Sequence, residues 1–367
     1  MKKILNVIGS LRIGGAENNA MAILRHLNPQ DYEYHFLVFD QEVGDYEAEA
    51  RQLGATIHRL PEPKAAYRDF IHHFRRLLQE EQFQVIHVNT LWNSGLLLKI
   101  AAQEQIPLRI CHSHSTQSSA QEHLVYKVYK RLMQAWIRRY ATHYIACGQA
   151  AGEYLYGTKF FEQHGQIIYN AIDLSIFKFD KSVRQKMRDQ LQINSQTFVL
   201  GHTGRLAPVK NHPFMLKILK VLRDQGRQVV LMLIGDGPDR DKIVQLVKTL
   251  ELEEAVYLLG RQHNIGEWLQ AMDLFIFPSF FEGFPVSLVE AQATGLTALL
   301  SDRVSSEALL TPFSQALPLS QIETWISQIE AEINQPTDRT QTNLKKIQSS
   351  FDIDYVIHDW EGLYEEI

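Results

Sequence analysis

The sequence predicts an α/β protein made of two doubly wound, parallel-sheet domains, and three observations carry that prediction. Its 367 residues exceed what one hydrophobic core ordinarily fills. Apolar runs without polar alternation recur along almost the whole chain, separated by roughly 10–20 residues of helical spacing. Twelve such runs are too many for one comfortable sheet. A polar segment, DLSIFKFDKSVRQKMRDQLQINSQ, divides them into seven and five.

KILNVIG opens the chain as a buried strand; the lysines before it introduce an apolar run too short for a signal peptide. YHFLVF, ATIHRL, VIHVN, LRICH, HYIAC and QIIYN complete the first set. TFVLGHTG, VVLMLIG, AVYLLG, LFIFPS and LTALLS form the second. Strands apolar on both faces belong in parallel sheets covered by helices on both sides. The boundary near residues 172–195 gives one domain of residues 1–175 and another of residues 176–350. The tail 351–367 returns to helical spacing, with Tyr355, Trp360 and Tyr364 as anchors for packing back on the first domain or on the second.

Hydrophobic content of 45% and charged content of 22% are those of a soluble globular protein. No stretch reaches the ~18 apolar residues of a membrane span. Net charge is −5, with a slightly basic first half and an acidic second, which argues against a nucleic-acid partner. Cys111 and Cys147 lie inside apolar runs and read as reduced, packed thiols of a cytoplasmic protein.

In open parallel sheets ligands bind beyond the carboxyl ends of the strands, so two such domains facing each other would wall a cleft with their strand-end loops. After the first strand, Gly14-Gly15-Ala16-Glu17 runs a glycine turn into a helix whose first N–H groups can meet an anion. The spacing is not that of the dinucleotide fingerprint. After the fifth, His112 and His114 alternate and share one face; His114 at the strand end suits polar contact or acid–base duty. They lack a third ligand at a spacing zinc would use. After the eighth, Gly204, Arg205 and Lys210 precede a helix beginning near Asn211. A forked guanidinium and an ammonium suit a diphosphate, though such loop cations are also often merely solvated.

FFEGFPVSLVEA sets Glu282 and Glu290 eight positions apart, around the start of a helix. Glu282 falls in the exit loop of LFIFPS, with Gly283 and Phe284 beside it, and Glu290 about one and a half turns inside the helix. The first-turn N–H groups near Val286, Ser287 and Leu288 point between them. This fits a nucleotide sugar: amides toward the diphosphate, one acid on sugar hydroxyls, the other on ribose.

E-x7-E in EGFPVSLVEA, G-R-x4-K in GRLAPVK, IGDGP, YNAID and GGAE occur in an order that resembles the retaining glycosyltransferases of family 4, which have the GT-B fold. RICHSHS, CGQAAGEYLYG and LLSDRVSSE look closest to bacterial capsular and exopolysaccharide members. Ala171 stands where the wider family often has Gly, and Thr297 where Pro is usual. The resemblance implies that Arg205 and Lys210 hold the donor diphosphate and stabilise the leaving nucleotide, Glu282 binds sugar hydroxyls and Glu290 the ribose. It places His114 beside the sugar and the Gly15 backbone near phosphate or acceptor. Arg261 and Asn264, in GRQHNI, would meet the base. It implies no cofactor and no metal; DRD at 239–241 and DID at 352–354 open a helix and sit in the tail, and are not read as metal motifs.

The expected function is transfer of a sugar, with retention, from a nucleoside-diphosphate-sugar, UDP by resemblance, to a growing glycan in capsule or exopolysaccharide synthesis. The implied acceptor is polyprenyl-diphosphate-linked. Lys127, Lys130, Arg131 and Arg138 cluster on one face of HLVYKVYKRLMQAWIRRY and would seat a cytoplasmic enzyme on the anionic inner face of the plasma membrane. A solvated cover helix is the plain alternative. Other readings are a soluble transferase with a small-molecule or protein acceptor, a non-catalytic partner of the same fold, and a sugar-nucleotide epimerase.

Overall fold

A computed structural model describes residues 1–62, 67–116 and 123–366. The chain divides into two compact units. The first holds Met1–Ile172 with Ser350–Ile367, and the second Asp173–Ser349.

The first unit is a seven-stranded parallel sheet: β1 (Lys2–Val7), β2 (Tyr32–Val38), β3 (Thr56–Arg59), β4 (Val85–Val88), β5 (Leu108–Ser113), β6 (His143–Ala146) and β7 (Gly165–Ile167). Their order is β3-β2-β1-β4-β5-β6-β7. The chain winds outward from β1 in one direction and then, from β4, in the other. The exit loops of β1 and β4 therefore diverge and leave an opening at the carboxyl edge. Ile4, Val85, Ile110 and Ile145 carry the core across the sheet, and Cys111 and Cys147 are buried and not joined in a disulfide.

The tail belongs to this unit. Its helix Ile353–Glu365 sinks Trp360 and Tyr364 fully into the core beside Ile4 and Ile23. Tyr355 is not an anchor: it is 52% exposed. It lies five and nine positions from the two buried aromatics, off the stripe that Ile353, Val356, Ile357, Trp360 and Tyr364 form at helical spacing. A single parallel bridge, Ile172 to Asp352, joins the returning tail to the end of the first segment.

The second unit repeats the pattern with β8 (Phe198–Thr203), β9 (Val229–Ile234), β10 (Val256–Leu258), β11 (Leu274–Phe277), β12 (Thr297–Ser301) and β13 (Gln315–Leu317), in the order β10-β9-β8-β11-β12-β13. The winding reverses between β8 and β11. The thirteenth strand is absent from the sequence reading because it is a three-residue edge strand with Gln315 and Ala316 exposed, so no apolar run announces it. No helix among the described residues is long and apolar enough to cross a membrane.

Candidate active-site residues of the two units

The second unit gathers its chemistry at the winding reversal. β8 runs out at Gly204, which has φ +156°, and Gly235 at the end of β9 has φ +135°. A Cβ on Gly235 would lie 2.0 Å from the Gly204 carbonyl oxygen, so both loops need bare backbone to pass one another. The chain then forms a short 3₁₀ turn, Pro208–Lys210, and Asn211 adopts the left-handed conformation (φ 57°) to enter the helix His212–Asp224. Two hydrogen bonds tie this turn to the exit of β11: Phe280 N donates to the Val209 carbonyl at 2.9 Å and Asn211 Nδ2 to the Pro278 carbonyl at 3.3 Å.

That docking brings Lys210 to Glu282. Nζ lies 2.8 Å from Oε1, with both side chains largely buried. The contact is a charge pair and not an aligned hydrogen bond. Lys210 also sits over the Phe277 ring, 4.6 Å from its centroid, so its stem is fixed from below. Arg205 is exposed and pairs with no acid among the described residues.

The helix Val286–Ala293 begins directly after Pro285. Val286 and Ser287 are partly exposed and Leu288 is buried, so the first-turn N–H groups open on the loop while Leu288 and the buried Phe284 anchor it. Glu290 is the fifth residue of this helix. It has no hydrogen-bonding or charged partner among the described residues, and burial pushes its carboxyl up to about 7. Such a carboxyl lacks the donors that would hold its charged form.

Arg261 and Asn264 follow β10. The Arg261 Nε is 4.0 Å from Asp236 Oδ2, which joins the β10 exit to the Gly-Asp-Gly turn after β9. Asn264 Nδ2 donates to Glu267 at 2.9 Å, within the start of its own helix. Three side chains absent from the sequence reading adjoin the cluster. His202 is fully buried, and its Nε2 comes within 3.2 Å of a Cβ built on Gly204. Burial first, then the neighbouring His212 and Lys210, push His202 well down; burial and Lys210 lower His212 to about 4. Ser279, at the β11 exit, is buried with its hydroxyl unpaired.

In the first unit His114 stands just past β5. Its Nε2 is 2.8 Å from Asn89 Oδ1, and hydrogen-bond direction fixes its tautomer. Asn89 Nδ2 approaches the Val7 carbonyl at 3.4 Å and Asn6 Oδ1 at 2.9 Å. A backbone carbonyl only accepts, so the Asn89 amide nitrogen faces Val7 and its oxygen faces His114. His114 Nε2 therefore carries the proton, and Nδ1 is an acceptor. Asn6 continues the chain, donating from Nδ2 to the Tyr34 hydroxyl at 2.6 Å.

Nδ1 of His114 is buried without a hydrogen bond, and so is Oδ1 of Asn170. Asn170 adjoins the ring and favours its protonation, but burial is the larger effect and lowers His114 to about 4. Behind them His112 lies against His114 with centroids 3.9 Å apart, and His87 bridges His112 Nδ1 at 3.1 Å and the tail's Tyr364 hydroxyl at 3.0 Å. The sequence held one hint of Asn6 and Asn89: polar residues in or just after otherwise apolar strands. Their pairing is a product of the sheet order.

Gly15 is the exposed first residue of the helix Gly15–His26, and a Cβ there would meet nothing within 4 Å. The crowded glycine is Gly14, where a Cβ would fall 2.4 Å from Glu17 Oε2.

The basic helix is Leu124–Tyr140. Arg138 is spoken for: its Nε donates to the Tyr156 carbonyl at 2.9 Å and its guanidinium lies over Phe160. Lys130 sits over Trp92 and Tyr154. Lys127 and Arg131 are exposed, on the same side as Leu124, Val125, Val128 and Leu132, which are 45–81% exposed.

Among the described residues the one grouping with metal-ligand spacing is His35, His58 and Glu81. Its own bonds close it. His35 joins His58 and Glu33 at 2.9 Å each, and Lys3 lies 3.1 Å from Glu81.

The crystal structure of Anabaena Alr3699/HepE in complex with UDP-glucose matches this fold with a TM-score of 0.82 at 20% identity, with 100% of both chains covered. Two parallel-sheet units of this kind give the protein the GT-B fold. Residues 13–176 match the family model "Glycosyltransferase Family 4" and residues 183–317 "Glycosyl transferases group 1". The putative glycosyltransferase EpsF of Bacillus subtilis is 30% identical over 331 residues, 87% of this chain and 85% of its own. The chain belongs to glycosyltransferase family 4. The capsular polysaccharide biosynthesis glycosyltransferase CapH of Staphylococcus aureus is 24% identical over 295 residues, 79% of each chain. An Escherichia coli UDP-Gal:alpha-D-GlcNAc-diphosphoundecaprenol alpha-1,3-galactosyltransferase is 27% identical over 236 residues, 62% of this chain and 60% of its own.

Proposed function

We propose that this glycosyltransferase moves a sugar, with retention of configuration, from a UDP-sugar to a glycan carried on a polyprenyl diphosphate during capsule or exopolysaccharide assembly. One observation carries the reading: Lys210 pairs with Glu282 across the two strand exits that flank the winding reversal of the second unit, next to the start of the helix Val286–Ala293. The names of the Escherichia coli and Staphylococcus aureus relatives support the donor, acceptor and polymer class.

The second unit takes the donor and the first the acceptor. Arg205 forks onto the diphosphate, and Lys210, with one face on Glu282, turns its remaining N–H groups to it. Their charge and the N–H groups of Val286, Ser287 and Leu288 stabilise the departing nucleotide, so no metal is required. Glu282 accepts hydroxyls of the transferred sugar and Glu290 those of ribose. Arg261 and Asn264 meet the base, and Gly204 lets the loop approach the phosphates. His114 accepts a sugar hydroxyl through Nδ1, and the Gly15 backbone meets phosphate or acceptor. The enzyme works at the inner face of the plasma membrane, held there by Lys127, Arg131 and the apolar residues between them.

The test is a thermal-shift panel of UDP-, GDP- and ADP-sugars, followed by proton NMR of the product formed on a lipid-linked acceptor. UDP-sugars should stabilise the protein most, and the product anomer should match the donor. Preference for another nucleotide, or an inverted product, would overturn that part of the reading.

A further inference from the structure

His202 lies near the end of β8, fully buried in the sheet of the second unit. Its ring is wedged among aromatics: the Phe275 and Phe277 centroids are 5.9 and 5.4 Å away, and His212 stands at 90° to it at 5.4 Å. Nδ1 lies 3.0 Å from the Ile276 carbonyl oxygen on β11. A carbonyl only accepts, so Nδ1 carries the proton and Nε2 presents a lone pair. That Nε2 is buried without a hydrogen bond. An acceptor stranded in a core is a cost that a packed phenylalanine would avoid.

Lys210 faces the lone pair. The position a Cβ would take on Gly204 is 3.2 Å from His202 Nε2, 3.3 Å from Lys210 Cε and 3.7 Å from Lys210 Nζ. The bare face of Gly204 is therefore the gap between acceptor and ammonium, and any side chain there would fill it. Both groups also share Phe277, with the imidazole tilted against its ring and Nζ 4.6 Å from its centroid. An ammonium has three N–H groups, and Glu282 engages this one from one side only, at 2.8 Å. Burial, His212 and Lys210 together keep the imidazole unprotonated, so it meets the cation with a lone pair and not with a second charge.

We infer that His202 is the positioning residue of Lys210, its Nε2 accepting an ammonium N–H across the Gly204 gap when sugar hydroxyls occupy Glu282. This deepens the proposed donor site and rests on its assignment of Lys210 to the diphosphate and Glu282 to the sugar. Glu282 must divide its lone pairs between Lys210 and the hydroxyls. As the hydroxyls take their share, a second acceptor keeps the ammonium at the β8 exit, where charge develops on the leaving diphosphate. His202 supplies that acceptor from the core.

The experiment compares wild type with His202→Phe, which keeps an aromatic ring but no acceptor, and His202→Gln, which keeps an acceptor but no ring. Free UDP is titrated calorimetrically into each. Initial rates give kcat and KM with whichever of UDP-glucose, UDP-galactose and UDP-N-acetylglucosamine is turned over fastest. His202→Phe should bind free UDP as wild type does, since Glu282 still holds Lys210, but lose about tenfold in kcat, the scale of one hydrogen bond to a charged group. His202→Gln should recover most of that loss, which a packing role alone would not allow. In the Glu282→Gln background, where no acid holds the ammonium, His202→Phe should weaken UDP several-fold. His202→Leu and His202→Asn stand in for either variant where it fails to fold.

Wild-type kcat in His202→Phe, or a Gln variant no better than Phe, would overturn the inference while leaving the donor site as drawn. Weaker UDP binding in His202→Phe with Glu282 intact would also overturn it, because the residue would then serve the nucleotide itself. Lys210→Gln with unchanged UDP affinity and turnover would overturn the donor site and this inference together.

Discussion

Lys210 Nζ lies 2.8 Å from Glu282 Oε1, so the residue assigned to the leaving phosphates also holds the residue assigned to the sugar. Neither is an independent point charge. Removing the lysine frees a largely buried carboxylate, and removing the acid's charge frees the ammonium to settle wholly on the diphosphate. Glu282→Gln should therefore slow turnover while leaving UDP affinity equal or better, and Lys210→Gln should lose both. The double variant should fall short of the summed losses by about 0.5–3 kcal/mol, the usual coupling of contacting residues. Strict additivity in a double-mutant cycle on kcat/KM would dissolve the pair as a working unit.

Arg205 has no competing acid among the described residues, so its whole charge is available to the donor. Arg205→Ala should weaken UDP binding and raise the transfer barrier by ~2–4 kcal/mol, the scale of losing one transition-state donor. Arg205→Lys should restore little, because an ammonium does not reproduce a two-pronged contact. Unchanged UDP affinity and rate in a folded Arg205→Ala protein would remove the residue from the site.

Glu290 titrates near 7 in the folded protein against an ordinary value of 4.5. The carboxyl stays protonated in the folded state where the unfolded chain ionises, so its burden is absent below about pH 4.5, grows between pH 4.5 and 7, and is constant above that. At pH 8 it costs about 3 kcal/mol. Glu290→Gln should thus melt higher than wild type at pH 8, with the gap closing by pH 4.5. Ribose hydroxyls would stabilise the carboxylate, so UDP binding near pH 6.5 should release protons in wild type and fewer in Glu290→Gln. Calorimetry in buffers of different ionisation enthalpy reads this directly.

Asn89 sets the His114 tautomer, which gives a readout beyond simple loss of activity. Asn89→Leu should orphan Nε2–H and cost about 1–3 kcal/mol. Asn89→Asp keeps an acceptor there but adds a negative charge that favours imidazolium. Wild-type His114, near 4, contributes no limb to the rate profile above pH 5. In Asn89→Asp a new acid limb should appear, with activity falling at lower pH because protonated Nδ1 no longer accepts a hydroxyl. An Asp variant with the wild-type profile would separate Asn89 from the chemistry.

Transfer should proceed in EDTA, because Arg205, Lys210 and a helix N-terminus supply positive charge where a metal otherwise would. Loss of activity restored only by a divalent ion would require redrawing the donor site.

The sequence by itself determined the strand runs, the polar divide and the strand-end loops, because apolar periodicity and turn chemistry are local properties of the chain. It likewise marked Arg205, Lys210, Glu282 and Glu290 as a group through their spacing around a strand exit and a helix start. Tertiary structure decided which of these touch. Lys210 reaches Glu282, with 71 residues between them in the chain, only because β8 and β11 are neighbours in the sheet, their exits bound by Phe280 N to Val209 O. It also decided that Arg138 serves a carbonyl and a ring inside its own unit, while Lys127, Lys130 and Arg131 line a cavity. Helical spacing gives the side of a helix, but not what packs against it. The relay from Val7 through Asn89 to His114 was hidden for a related reason: hydrogen-bond direction is a property of partners, and β1, β4 and β5 become partners only in the folded sheet.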